Sequence, residues 1–78
     1  MDISKMRERA AELLVCDFSR LEEKYIPDLN LVYFRNVDRG GGALIISETG
    51  EVLFKDPFYV EYEEHVQRFI DGERSNFE

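Results

Sequence analysis

The sequence has 78 residues, of which 44% are apolar and 35% charged, a composition typical of one folded domain and unlike that of a disordered chain. Its 10 basic and 17 acidic residues give a formal net charge of −7. That charge disfavours nucleic acids and anionic membranes as partners, because proteins bind both largely through lysine and arginine. We therefore expect one soluble domain over residues 1–78.

An amphipathic helix is predicted over residues 3–25. Apolar side chains recur there at intervals of three or four residues, the period of one helix face, and charged side chains fill the other side. The acidic side chains of this helix are Glu8, Glu12, Glu22 and Glu23. Ser19 begins a capping-box pattern, with Asp17 as a break, so two helices in series are the alternative. Pro27 ends the helix in either case.

Three antiparallel strands are predicted next, over residues 29–37, 43–47 and 51–55, each rich in residues with high β propensity. Thr49 and Gly50 form the tight turn between the second strand and the third. Side chains alternate across a strand, so the sheet has two distinct faces. We expect the helices on one face and a partly aromatic surface on the other.

A second helix is predicted to run to about Asp71. Asp56 and Pro57 suit the start of this helix or the loop before it, and Gly72 is placed to end it. Residues 73–78 are expected to be frayed. The predicted fold is therefore α+β, in the order αβββα: an N-terminal helix, with a broken helix as its alternative, a three-stranded antiparallel meander and a C-terminal helix.

The sequence offers no pattern typical of a catalytic or metal site. Glu61 and His65 stand one helical turn apart, but zinc usually takes three or four nitrogen or sulfur ligands, and the chain has one histidine and one cysteine. We interpret His65 as an imidazole on an exposed, charged helix face. Cys16 lacks a nearby base to hold a thiolate, so we interpret it as a small apolar residue beside the core. We expect no enzyme activity, no cofactor and no metal.

The cysteine and the apolar residues also bear on location. A single cysteine cannot form an internal disulfide, whereas secreted domains of this size commonly depend on disulfides. No apolar run approaches the roughly 18 residues that cross a bilayer. Asp2, Lys5 and Arg7 interrupt the stretch in which a signal peptide would be apolar. We expect a cytoplasmic protein that binds no membrane.

The run Arg39, Gly40, Gly41 and Gly42 is the most distinctive feature of the sequence. Three consecutive glycines cost more conformational entropy than a simple turn requires. Phosphate-binding glycine motifs lie between a strand and a helix, whereas these glycines precede a strand, so a phosphate cradle is not indicated. Two interpretations remain. The run is a glycine bulge or a close approach of an aromatic side chain, or it is a loop whose amides and Arg39 contact a partner.

Several segments around this run are similar to those of a known family. They are Tyr33-Phe34 on a strand, Arg39-Gly40-Gly41-Gly42, the hairpin of residues 43–54 with its Glu48-Thr49-Gly50 turn, and later Phe69, Gly72 and Arg74. Over residues 32–74 the sequence resembles the small immunity-type proteins that are encoded beside bacterial polymorphic toxins. The resemblance implies an inhibitor that binds and blocks its cognate toxin.

The first hypothesis for function is a cytoplasmic protein-binding module, with a basic toxin domain as the partner that the resemblance implies. Acidic surfaces speed association with basic partners, and tyrosine and arginine are common among the residues that dominate binding energy. The expected partner-binding residues are Tyr33, Arg39, Gly40, Gly41, Gly42, Glu61 and Glu64. The alternative is a homodimeric structural or regulatory module that pairs through an edge or a face of its sheet.

Overall fold

The computed structural model describes residues 3–38, 42–56 and 60–75. Over these residues the elements are α1 (Ile3–Leu14), β1 (Leu21–Ile26), β2 (Leu31–Asn36), β3 (Ala43–Ser47), β4 (Val52–Lys55) and α2 (Tyr62–Ile70). Short 3₁₀ turns, Phe18–Arg20 and Pro27–Leu29, flank β1. The strands form one antiparallel sheet in the order β1-β2-β3-β4. The predicted α+β class is confirmed.

The predicted number of strands is wrong, because the second half of the predicted first helix is a strand. Helix α1 ends at Leu14, where Val15 takes a left-handed φ of 52° and the N–H of Cys16 bonds to the carbonyl of Ala11 (3.1 Å). Residues 21–26 then pair with β2 in a continuous register from Leu21↔Asn36 to Ile26↔Leu31. The sheet therefore has four strands instead of three, in the order αββββα.

The helical pattern of residues 21–26 arises from their position at the edge of the sheet. Glu22, Glu23, Lys24 and Tyr25 are all exposed in β1. Glutamate and lysine are uncommon in central strands, but charged side chains are common on edge strands, where they limit which strands can pair with the edge. The polar residues that resemble the outer face of a helix are thus edge residues, and pairing with β2 overrides local propensity.

The two helices lie on opposite faces of the sheet, which corrects the expectation of one shared face. On the α1 face, buried side chains of the helix pack against alternate residues of the strands: Met6, Ala10, Leu14, Val32, Phe34, Leu44, Ile46 and Val52. On the α2 face the buried cluster is smaller: Leu31, Ile45, Leu53 and Phe69. The alternation along each strand supplies both cores, so the aromatic face is itself covered in part by a helix.

Helix α2 begins at Tyr62, so Asp56 lies in the segment before the helix, the second of its two predicted positions. Glu61, the residue before it, has extended geometry (φ −72°, ψ 160°), and residues 57–59 lie outside the described part of the chain. The predicted end of the helix at Gly72 is confirmed. Gly72 takes a φ of 101°, and its N–H and that of Glu73 bond to the carbonyls of Phe69 and Arg68 (3.1 and 3.0 Å). This is the Schellman pattern that favours glycine.

The segment after α2 runs along the outer edge of β4, although the sequence predicts fraying from Glu73 onward. The N–H of Ser75 donates to the carbonyl of Val52 (2.8 Å), and the N–H of Phe54 donates to Ser75 Oγ (2.8 Å). Glu73 forms an ion pair with Lys55. Residues 76–78 lie outside the described part of the chain.

Neither of the described helices has the length and the apolar composition needed to span a bilayer.

Candidate functional site

A surface groove lies between the edge strand β1 and helix α2. Its volume is about 470 Å³, and it is lined by Glu22, Glu23, Lys24, Tyr33, Arg35 and Tyr62. The strand register builds its floor, because Lys24 stands opposite Tyr33 and Glu22 opposite Arg35, and residues opposite each other point to the same face. We call this surface the β1–α2 groove.

An aromatic pair occupies the floor of the groove. The rings of Tyr33 and Tyr62 meet edge to face, with centroids 4.9 Å apart and planes at 89°. The Nζ atom of Lys24 lies 4.1 Å from the centroid of the Tyr62 ring, within the range of a cation–π contact. Burial raises the pKa of the Tyr33 phenol, and Glu22 and Tyr62 add to the rise against the opposing effect of Arg35. The phenol is therefore neutral at physiological pH.

His65 supports this aromatic floor from below. Its side chain is 1% exposed, which corrects the interpretation of an imidazole on an exposed face. The Nε2 atom lies 2.8 Å from the carbonyl oxygen of Leu53, and because a carbonyl only accepts, Nε2 carries the hydrogen. The imidazole also meets the Tyr33 ring edge to face, with centroids 5.5 Å apart. This contact fixes Tyr33 against α2.

Burial lowers the pKa of His65 below its usual value, although the hydrogen bond to Leu53 raises it. Among the charged neighbours, Lys55 and Arg68 lower that pKa further and Glu73 raises it. The imidazole is consequently neutral and structural near pH 7. In the described part of the chain, no three side chains of the histidine, cysteine, aspartate and glutamate types are grouped to hold a metal ion.

Charges of both signs border the groove. Arg35 Nη1 lies 3.7 Å from Glu22 Oε2, and the two side chains are 47% and 62% exposed. An ion pair this exposed contributes little to stability, and its members can exchange partners at small cost. The groove therefore has aromatic surface beside charges of both signs, and it can receive a side chain that has an apolar body and a charged end.

The structure separates the residues predicted to bind a partner. Tyr33 lies in the groove, and Glu61 is exposed immediately before Tyr62. Glu64 is exposed on α2, where it pairs with Arg68 (2.9 Å). These residues belong to the α2 side of the sheet. Arg39, Gly40 and Gly41 lie outside the described residues.

Gly42 faces the other side of the sheet, where it accommodates an aromatic ring. A Cβ atom at Gly42 would lie 2.1 Å from Cε2 and 2.5 Å from Cζ of Phe54, far inside normal contact. The carbonyl of Gly42 also accepts the N–H of Asn36 (2.9 Å). At this position the structure supports the interpretation of close aromatic approach, so Gly42 has a structural role and does not line the groove.

Sequence reasoning missed Glu22, Lys24, Arg35 and Tyr62 as members of one site. Glu22 and Lys24 fall in the predicted first helix and Tyr62 in the second, and no local pattern indicates that β1 pairs with β2. A usable signal was present between the strands. Pro27 and Asn30 bracket a short turn, and Asn30 takes the left-handed φ of 53° that asparagine tolerates.

Cys16 is partly buried against the α1-side cluster. Burial raises the pKa of its thiol, and the nearby carboxylates of Asp38 and Asp17 raise it further, so the thiolate is disfavoured.

Comparison with known proteins assigns no function to this site. The sequence matches no family model, and searches of curated proteins and of solved structures return no match.

Proposed function

We propose that this chain is a cytoplasmic protein-binding module that blocks a cognate bacterial toxin, as the immunity-type proteins it resembles do. The observation that carries the proposal is the β1–α2 groove with its Tyr33–Tyr62 pair. The groove is open to solvent and lined by strand and helix side chains. Such a surface suits contact with another protein better than enclosure of a small substrate.

The residue types in the groove are those that dominate protein interfaces. Tyrosine and arginine are enriched among interface residues whose loss costs more than about 2 kcal/mol of binding energy. Tyr33 and Tyr62 offer aromatic surface at low entropic cost, because their rings already restrain each other. Arg35 supplies a planar cation that can bind a carboxylate in two places. A partner is therefore expected to place an apolar or acidic side chain in the groove.

The charge around the groove favours a partner that is basic overall. Glu61, Glu63 and Glu64 are exposed at the start of α2, immediately beside the groove residue Tyr62. Together with the net charge of −7, these carboxylates attract a basic surface and speed its approach. Inhibition then follows from occlusion, since the bound module covers the surface through which the toxin contacts its own target.

Site-specific photo-crosslinking tests this proposal. In one variant p-benzoylphenylalanine replaces Arg35 in the groove, and in a matched control it replaces Glu8 on the exposed side of helix α1. Each variant is irradiated in extract from the native cell. We expect a covalent adduct with one protein from position 35 and none from position 8. The captured partner, expressed alone, should arrest growth, and co-expression of this chain should restore it. Equal capture at both positions, or a partner whose activity is unaffected, would overturn the proposal.

A further inference from the structure

The two edges of the sheet differ in how they are covered. At the β4 edge, Ser75 hydrogen-bonds to Val52 and Phe54 and closes the strand against further pairing. Strand β1 ends the sheet on the other side, and within the described residues no backbone group of Glu23 or Tyr25 has a partner outside β2. An open edge of this kind is a template for another strand.

The register of β1 with β2 shows which of its backbone groups point outward. The N–H of Val37 bonds to the carbonyl of Arg20 (2.9 Å), and bonded and non-bonded pairs alternate along an antiparallel ladder. Residues 22, 24 and 26 therefore direct their backbone groups to β2, and Leu21, Glu23 and Tyr25 direct theirs outward. The N–H of Leu21 is already bonded to the carbonyl of Phe18, so its carbonyl alone is available.

These outward groups are self-complementary about a two-fold axis through Glu23. In an antiparallel pair of β1 strands centred there, the Glu23 amides and carbonyls of the two copies bond to each other. Each Tyr25 amide meets the Leu21 carbonyl of the second copy. An axis perpendicular to the sheet keeps the same face of both copies on the same side, as directly opposite residues require.

Charge selects this register over its neighbours. Centring the axis on Glu22 or on Lys24 would place two like charges directly opposite each other. Centring it on Glu23 places Glu22 opposite Lys24 of the second copy, twice by symmetry. The two Glu23 carboxylates then face each other, but each is already compensated by Arg7 of its own chain (2.5 Å). Opposite charges across a strand pair stabilise it and like charges oppose it.

Apolar exposure at both ends of β1 fits the same arrangement. Phe18, just before β1, is 54% exposed, and Leu29, just after it, is 42% exposed. Extending the Glu23-centred register sets residue 18 of one copy opposite residue 28 of the other. The exposed Phe18 of each copy thereby approaches the turn that carries Leu29 of the second, and both lose contact with water.

We infer that a second copy of this chain docks on β1 and forms an eight-stranded antiparallel sheet centred on Glu23. The two β1–α2 grooves then lie on one face, side by side across the two-fold axis, as a single larger binding surface. This inference goes beyond the proposed function: one groove can bind a partner whether or not the chain dimerises. Mutual repulsion of two chains of charge −7 opposes the dimer and is weakened by salt.

Sedimentation equilibrium at physiological salt, from micromolar to millimolar protein, tests the dimer, and charge swaps test its register. E22K sets like cations opposite each other, and K24E sets like anions. Each should weaken the dimer about tenfold or more, and the double variant E22K/K24E should restore it. If only net charge mattered, E22K would strengthen the dimer, because it makes the chain less acidic. Circular dichroism confirms that each variant remains folded.

Amide hydrogen exchange supplies the independent readout. Exchange at Glu23 and Tyr25 should slow as the protein concentration rises, while exchange at Glu8 on α1 should not. Three results would overturn the inference. They are a monomer at every concentration, a dimer that is indifferent to the charge swaps, and protection of the β1 amides only when the captured partner protein is added. None of these three results removes the groove as a binding site.

Discussion

Replacing Gly42 with alanine tests whether the last glycine of the run is structural. The added Cβ would lie 2.1 Å from Cε2 of Phe54, whereas carbon atoms in contact are about 3.5–4.0 Å apart. The ring must therefore move by roughly 1.5 Å. Phe54 is 37% exposed, so it can turn toward solvent instead of forcing the backbone apart.

The expected loss of stability follows from two opposing effects. Overpacking typically costs about 1–3 kcal/mol. Replacing glycine with alanine at a tolerated φ returns about 0.4–1 kcal/mol by restricting the unfolded chain. We expect G42A to lower the free energy of unfolding by about 1–2 kcal/mol, measured by urea titration with an unchanged m-value.

A double-mutant cycle with F54A identifies the cause. Without the ring, the alanine at position 42 should be neutral or slightly stabilising. G50A serves as the contrast, because Gly50 has open space around it but a φ of 90°. Its cost should persist in the F54A background, since it arises from backbone strain. If G42A costs as much without the Phe54 ring as with it, the clash is not the reason for this glycine.

Three further predictions concern strain, steering and pH. V15G should raise the free energy of unfolding by about 1 kcal/mol, because Val15 has a left-handed φ of 52° and is 87% exposed, so little packing is lost. Charge reversal at Glu61 and Glu64 should slow association with the basic partner severalfold at low salt, while E8K on the opposite face should leave the rate nearly unchanged. The free energy of unfolding should fall as pH drops below about 6.5, because His65 binds a proton in the unfolded chain but stays neutral when it is buried in the folded protein. H65Q should remove this dependence.

Each of these predictions has a defined contrary result. A destabilised V15G would show that the valine side chain makes contacts that offset its strain. Equal slowing by E8K, or slowing that persists at high salt, would contradict steering by the α2 carboxylates. Glu51 and Glu73 have lowered pKa values and act only in more acidic solution, so their loss of charge lies below the histidine range. A pH dependence unchanged in H65Q would exclude His65 as its source.

Local signals predicted strands β3 and β4, the turn between them and the end of α2. The hairpin between β3 and β4 depends on Gly50, whose φ of 90° suits a tight turn, and the end of α2 depends on Gly72. Both features are encoded within a few neighbouring residues. Strand β1 is different, because its charged residues match a helix face in isolation. Its strand geometry comes from pairing with residues 31–36, which no short window can report.

The candidate site also combines features that the local sequence indicates with features that depend on distant parts of the chain. Tyr33 could be identified by residue type alone, as an aromatic side chain on a strand. Its relation to Tyr62 and Lys24 depends on the position of α2 and on the β1 register, both of which are non-local. Glu63 and Glu64 beside His65 suggest an exposed position, but His65 stands three residues after Tyr62 and four before Phe69, the spacing of one helix face, which accounts for its burial.

The affinity of the captured partner for two tyrosine variants tests the central claim most directly. Tyr62 lies in the β1–α2 groove, and Tyr25 is an exposed tyrosine on the other face of the same region. By titration calorimetry, Y62A should weaken binding by roughly 30-fold, the equivalent of about 2 kcal/mol, whereas Y25A should change it by less than about threefold. Equal losses, or a larger loss for Y25A, would contradict a groove-centred interface.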